Sequence, residues 1–423
     1  MPKYELAVVG AGLGGLAAAA LVSRKNRKTI VLDPGDSAGG TLGVQEKDGF
    51  VFSPGPTLSF GFERGGALQK LNEVLGIAQH ASIQSPCYQV ALPDRRITIY
   101  AEQSETLEEL RREFPREIDV ITGFYRDLRR QTVKIAKSRF SEYLSRHRTA
   151  GGFLRRYRFT PELTAFFDVQ SHYFYQRPVA DISLPSLITL CDSVPLTVHD
   201  GFIKLAEQMV DVILKNGGEI HYRIPLSEIV LKKDRTVGLA TPLGQMETGA
   251  VLLNTEQRRR GTVLCIGLRG EVVPVSMLND VIAITDYAHP ERFFSLSFSA
   301  RDDEHAAPRG MRALTATFSS PAPLQPNEER MRQIAALIPF LEKFVLSAEE
   351  YNPAPRSYSA PAGMTFKPLR TENSQTLLSR SSQRGIYTLL DGDAAPVHTV
   401  AAAQAFVERL LGHESLRLSK RHA

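Results

Sequence analysis

The chain has 423 residues, of which 43% are apolar and 23% charged, a composition that excludes a disordered, collagen-like or long coiled-coil protein and a length that implies two domains. Three scattered cysteines, Cys87, Cys191 and Cys265, exclude a disulfide framework and a zinc site and fit a reducing compartment; no metal is expected. The net charge of +5 is uneven, because the segment from Arg111 to Arg158 alone carries fourteen Lys/Arg against five Asp/Glu.

Residues 4–9 read as a buried strand, Gly10 to Gly15 as a turn, Leu16 to Lys25 as an Ala/Leu-rich helix and residues 29–33 as a second strand. Together they form a βαβ unit, the opening of a doubly wound sheet. The apolar run Leu6 to Val22 approaches the length of a membrane span. It is rich in glycine, however, and no charged n-region or cleavage site accompanies it, so neither a span nor a signal peptide is expected.

Residues 104–146 have apolar positions at helical spacing, and 153–175 are basic and then aromatic. A helix is expected over 201–216, and strands over 219–223, 226–231, 236–240 and 249–253. Residues 262–300 alternate as strands do, 326–347 read as a helix, 386–390 as a strand and about 400–411 as a last helix.

Gly10-Ala11-Gly12-Leu13-Gly14-Gly15 fits G-x-G-x-x-G. The first glycine permits the tight turn, the second lets a pyrophosphate approach the backbone, and the third lets helix and sheet pack closely. The helix N-terminus then presents N–H groups and partial positive charge to phosphate. Asp33, eighteen residues beyond Gly15, stands at the next strand end, where a carboxylate accepts hydrogen bonds from ribose hydroxyls. An acid there argues against NADP and suits NAD or FAD. At the other end of the chain, a strand, Gly392-Asp393 and a helix containing Val400 could bring a carboxylate and a helix N-terminus to a flavin.

These segments resemble the phytoene desaturase branch of the FAD-dependent amine oxidase superfamily along nearly the whole chain. Gly49 to Thr57 (Gly-Phe-Val-Phe-Ser-Pro-Gly-Pro-Thr) resembles the family's G-F-x-F-D-x-G-P-T loop, Phe114-Pro115-Arg116-Glu117 its F-P-x-E segment, and Ala306 to Gly310 its A-P-x-G. Gly39-Gly40 is similar to the second glycine pair of these flavoproteins, and Leu226 to Ile229 to the strand whose backbone meets adenine. The chain has Thr41 where the family has Arg, and its 394–399 loop lacks the family's glycines.

The resemblance implies an α/β protein with a Rossmann-type FAD-binding domain, split in sequence, and an α+β substrate domain. The expected boundaries are 1–75, 195–260 and 370–423 for the FAD-binding parts and 76–194 and 261–369 for the substrate parts. It also implies FAD contacts from Gly10 to Gly15, from Asp33 and Pro34, from Gly40 and Thr41, from Gly55, Pro56 and Thr57, and from Leu226, Gly392, Asp393 and Val400. The implied function is desaturation, saturation or isomerisation of an apolar isoprenoid or polyene by hydride exchange with flavin, as in carotenoid biosynthesis. The same fold also serves amine-oxidase-like enzymes of polar substrates and non-enzymatic prenyl-binding proteins.

His398 falls where the chain should pass the flavin, as a base or as an ordinary hydrogen-bonded histidine. His172 and Asp168 have the same two readings. The aromatic run 166–175 suits either a tunnel wall or a core. The basic segment 111–158 suits either a solvated helix face or peripheral contact with an anionic membrane surface. With no recognised nucleic-acid motif beside that charge, a nucleic-acid partner is not expected. A cytoplasmic protein, peripheral to a membrane's inner face, is the expected setting.

Overall fold

The computed structural model describes residues 2–136, 145, 148–199, 201–232, 235–256, 261–319, 326–351, 366–368, 378–381, 384–391 and 396–412. Gly392, Asp393 and the other residues of 392–395 lie outside the described residues, as do Asp200 and the arginines at 258–260.

Strand β1 (Lys3–Val9) runs into the glycine turn, and helix α1 (Leu13–Ser23) starts directly after Gly12, earlier than expected. Every residue of α1 is buried. A helix apolar on all sides needs cover on all sides, and α1 obtains it from the sheet beneath and two helices above. Strand β2 (Thr29–Asp33) is likewise buried throughout. Pro115 breaks the expected 104–146 helix into Gln103–Glu113 and Ile118–Ala136, because proline cannot donate its amide and restricts the residue before it.

Downstream come α2 (Pro161–Tyr175) and α3 (Ile203–Lys215), then β3 (Glu219–Tyr222) and the 13-residue β4 (Gly244–Glu256). The strand expected from 226 begins at Glu228, which leaves Leu226 in the loop before it. Further on lie β5 (Asp280–Ala283), β6 (Phe294–Phe298) and β7 (Met311–Phe318). The helix expected over 326–347 ends at Leu337, and Val345–Glu350 is a strand. The chain closes with β8 (Ile386–Asp391) and α4 (Pro396–Leu411).

The first sheet carries a parallel core in the order β3–β2–β1–β4–β8. Strand Phe366–Pro368 pairs antiparallel with Leu378–Ser381 at its far edge, so this sheet begins to recruit chain before the 369/370 boundary read from sequence. The second sheet has seven strands and is antiparallel except where β5 runs parallel to Tyr88–Ala91. Among its strands, β5, β6 and β7 lie side by side. The fold is thus mixed α/β, with a Rossmann-type βαβ unit at its start.

Alternation decides which face of the second sheet is core. Phe294, Leu296, Phe298, Leu314, Ala316 and Phe318 pack into one buried cluster. Ser295, Ser297, Thr315 and Thr317 therefore point the other way, toward the loop 54–60 and α2.

Gly15 is held so tightly that a Cβ there would lie 2.3 Å from the Gly10 carbonyl oxygen. Backbone cannot move aside as a side chain can, so Gly15→Ala is expected to cost about 2 kcal/mol or more by overpacking. Gly152, within a short helix, has nothing within 4 Å of that position, and Gly152→Ala is expected to be neutral or stabilising by up to about 1 kcal/mol. Urea unfolding should show a lower midpoint with unchanged slope for the first variant and no loss for the second; equal behaviour of the pair would contradict this packing.

Candidate functional site

The glycine turn, Asp33 and the last helix converge. The Asp33 carboxylate is 2% exposed and accepts backbone N–H bonds from Ala11 at 2.5 Å and Gly35 at 2.6 Å. It clips the turn to the end of β2 and sets Pro34 beside it. A carboxylate has about four lone-pair sites, so this clip leaves acceptor capacity. Ile224 donates its N–H to the Asp33 carbonyl at 2.9 Å, which brings the loop bearing Leu226 alongside. Gly39 donates its N–H to the Ala11 carbonyl at 2.8 Å and so places Gly40 and the backbone of Thr41 against the turn.

No side chain caps α1 and no acidic residue stands in its first turn. A buried, uncapped helix start is an anion-seeking feature. The start of α4 meets it: a Cβ on Gly14 would lie 2.3 Å from Leu389 of β8 and 2.9 Å from Thr399 of α4. Thr399 is fully buried and its hydroxyl has no hydrogen-bond partner among the described residues. Two helix N-termini, glycines that admit close approach and a carboxylate at a strand end form a donor set that fits a dinucleotide. Gly10 to Gly15 are themselves buried in this state, and Val400 packs into the core beneath them.

A cavity of about 370 Å³ lies beyond, between the second sheet and α2. Gly55, Pro56 and Thr57, the fourth of the implied cofactor segments, line it together with Pro396 and Val397 at the start of α4. One wall is aromatic, with Phe60, Tyr173, Phe174, Tyr175 and Phe293. Phe166 and Phe167 from the same run are buried in the core instead. The opposite wall is polar and holds Asp280, Ser295, Ser297, Thr315 and Thr317.

The buried carboxyl of Asp280 is the group that sequence reasoning missed. Thr57 donates its hydroxyl to Asp280 Oδ1 at 2.5 Å, and the Ser297 hydroxyl lies 3.0 Å from that oxygen and 3.2 Å from Thr57 Oγ1. Burial pushes the Asp280 carboxyl above its usual range, and the two hydroxyls only partly offset this. Tyr173 faces the same cluster, and burial raises its phenol well above the ordinary value.

His398 does not line the cavity, although its neighbours Pro396 and Val397 do. Its ring lies 5.4 Å from that of Tyr175 and it bonds to the Phe174 backbone. These contacts pack the start of α4 against the end of α2. Asp168 accepts the Val179 N–H at 2.6 Å and so holds the loop after α2. His172 does line the cavity, and burial lowers its pKa.

Much of the described charge in 111–158 is paired on the surface, as in Arg111–Glu108, Arg112–Glu109 and Arg130–Asp127. Among the described residues no helix is long and apolar enough to cross a membrane, and no group of three metal-ligating side chains occurs.

Residues 8–73 match the family model of an NAD(P)-binding Rossmann-like domain. The chain is 27% identical over 271 residues to the chloroplastic prolycopene isomerase of Arabidopsis thaliana, an overlap of 56% of this chain and 44% of the relative. It is 24% identical over 282 residues to a 4,4'-diapophytoene desaturase of a Methylomonas species, covering 60% and 53% respectively. The matched region thus spans about half the length of these relatives. Among solved structures, the fold resembles a Rab GDI of Plasmodium falciparum (TM-score 0.65, 12% identity, 97% of this chain and 98% of that one). It also resembles the cyclohexylamine oxidase of Brevibacterium oxydans (TM-score 0.60, 13% identity, 98% and 100%). These two relatives are a carotenoid isomerase and a carotenoid desaturase, and the solved structures show the shared fold.

Burial drops the His398 pKa from 6.5 to about 4, so the folded protein holds this imidazole neutral while the unfolded chain protonates it first. The stability this contributes is complete above about pH 6.5 and is lost as pH falls toward 4. The wild type should lose up to about 3 kcal/mol more than His398→Gln between pH 7 and 4, measured by denaturant unfolding at each pH. Parallel pH profiles would show that His398 is not buried neutral.

Proposed function

We propose that this protein is an FAD-dependent oxidoreductase acting on an apolar polyene or isoprenoid, by desaturation, saturation or isomerisation. The observation that carries the reading is the meeting of the α1 and α4 N-termini over Gly14, next to a cavity lined in part by aromatic rings. The carotenoid desaturase and isomerase relatives support the polyene.

FAD, when bound, supplies two-electron hydride exchange. The chain's own residues do the rest. Gly12 lets the pyrophosphate approach the start of α1, whose N–H groups neutralise its charge. Asp33 orders the turn and retains capacity for ribose hydroxyls. Gly55, Pro56 and Thr57 separate the cofactor end from the substrate cavity. Phe60, Tyr173 and Phe293 hold a hydrocarbon chain by contact, at roughly 0.8 kcal/mol per buried CH₂, and keep water from the reacting carbons. Contact of 111–158 with anionic lipid is part of the proposal, carried by that segment's charge excess.

Protein purified without added cofactor should show the visible absorption bands of oxidised flavin, bleached by dithionite. Asp33→Ala should weaken FAD retention by about ten- to a hundred-fold, as the loss of charge-assisted hydrogen bonds implies. A colourless protein that rejects added FAD would overturn the proposal. Peroxide formed from amines in air would favour the amine-oxidase reading of the fold, and polyene binding without flavin the prenyl-binding one.

A further inference from the structure

The polar wall of the cavity is more than a pure hydrocarbon requires. Ser295 and Ser297 on β6 stand across the ladder from Thr317 and Thr315 on β7, and Asp280 pairs with Ser297 from β5. Their side chains line the same cavity as Phe60, Tyr173 and Phe293. Burying polar groups beside an apolar ligand is costly unless the ligand satisfies them.

Asp280 has a defined geometry. Both hydroxyl neighbours, Thr57 and Ser297, lie on Oδ1, and no hydrogen bond is made to Oδ2 among the described residues. Asp280 is 7% exposed, and what it exposes belongs to the cavity. The described lining holds no Lys or Arg that could pair with an ionised head group; its other titratable members are His172, Tyr173, Tyr175 and Glu291.

We infer that the cavity takes an isoprenoid bearing an oxygen function, an alcohol or aldehyde, whose oxygen is held by Asp280 Oδ2 while Thr57 and Ser297 fix the carboxyl. This rests on the polyene reading above and names the substrate class within it. A carboxylate accepts from an alcohol, and a protonated carboxyl, which burial favours at Asp280, also donates to an alcohol or a carbonyl oxygen. An acid head group finds no cation in the described lining, and the methyl-ended hydrocarbon offers no partner to Oδ2 or to the hydroxyls of Ser295, Thr315 and Thr317. Asp280 is thus a specificity residue.

The test uses one C20 conjugated polyene with four ends: all-trans-retinol, its deoxy analogue with a methyl for the CH₂OH, retinylamine and retinoic acid. Binding to the full-length protein is read by ligand fluorescence at neutral pH. The alcohol is expected to bind at least about tenfold more tightly than the methyl form, and the amine and acid no more tightly than the methyl form. Asp280→Ala should abolish the alcohol's advantage, and Thr57→Val, which leaves the carboxyl held by Ser297 alone, should reduce it severalfold. Equal binding of alcohol and methyl forms, retention of the advantage in Asp280→Ala, or tightest binding by the amine or acid overturns this inference and leaves the polyene reading standing. Binding of none of the four overturns both.

Discussion

Strand β4 is the element on which the rest depends. It pairs in parallel with β1 on one side, through Leu6↔Ala250 to Val9↔Leu253, and with β8 on the other, through Val251↔Ile386 to Glu256↔Asp391. Parallel neighbours present their C-terminal ends on one edge, and ligands of such sheets bind beyond that edge where the connections diverge. By lying between them, β4 places the first and last strand-turn-helix units, nearly the whole chain apart in sequence, on the same edge. The glycine turn and the start of α4 face each other because of that pairing. Gly14 is the contact point, where any side chain would collide with β8 and α4.

The loop 49–57 transmits this arrangement to the second sheet. Phe50 and Phe52 are buried against Cys265 and Ala313, and Gly267 leaves the space that Phe50 fills, with a Cβ there only 2.5 Å from its ring. Anchored by these rings, the chain delivers Gly55, Pro56 and Thr57 to the cavity rim. Thr57 then reaches Asp280 on β5, so a hydrogen bond links the segment beside the cofactor end to the substrate wall.

The Rossmann half was legible because its chemistry is local. Gly10, Gly12, Gly15 and Asp33 fall within one βαβ unit, and the physical roles of those glycines fix their spacing. The cavity was not legible in the same way. Asp280 and Thr57 are far apart in sequence and meet only through the second sheet, whose register no local pattern specifies. Two signals were nevertheless present: a lone acid heading the apolar run Asp280-Val281-Ile282-Ala283, and the alternation Phe-Ser-Leu-Ser-Phe at 294–298, which puts hydroxyls on the face away from the core. His398 drew attention through its place in the chain. Its ring is buried against Tyr175, within a helix that starts at Pro396, one turn before the expected position. The helix expected through 347 ends at Leu337, because Pro339 disfavours helical backbone at the residue before it, and Ile338 accordingly has φ of -124° and ψ of 89°.

The two walls of the cavity define what a ligand must look like. The aromatic wall rewards length and flatness without direction, since apolar contact scales with area. The Asp280 wall rewards one atom in one place, since a hydrogen bond inside a dry cavity is directional and costly to leave unmade. Contact alone would let a uniform chain slide through the cavity in many registers of similar energy. An anchored end removes that degeneracy and fixes which carbon stands at the rim formed by Gly55, Pro56 and Val397. In an enzyme whose cofactor carries the redox step, selection among many equivalent C–H bonds is the work left to the protein. The Thr57–Asp280–Ser297 cluster is the feature of this cavity with the directionality to do it.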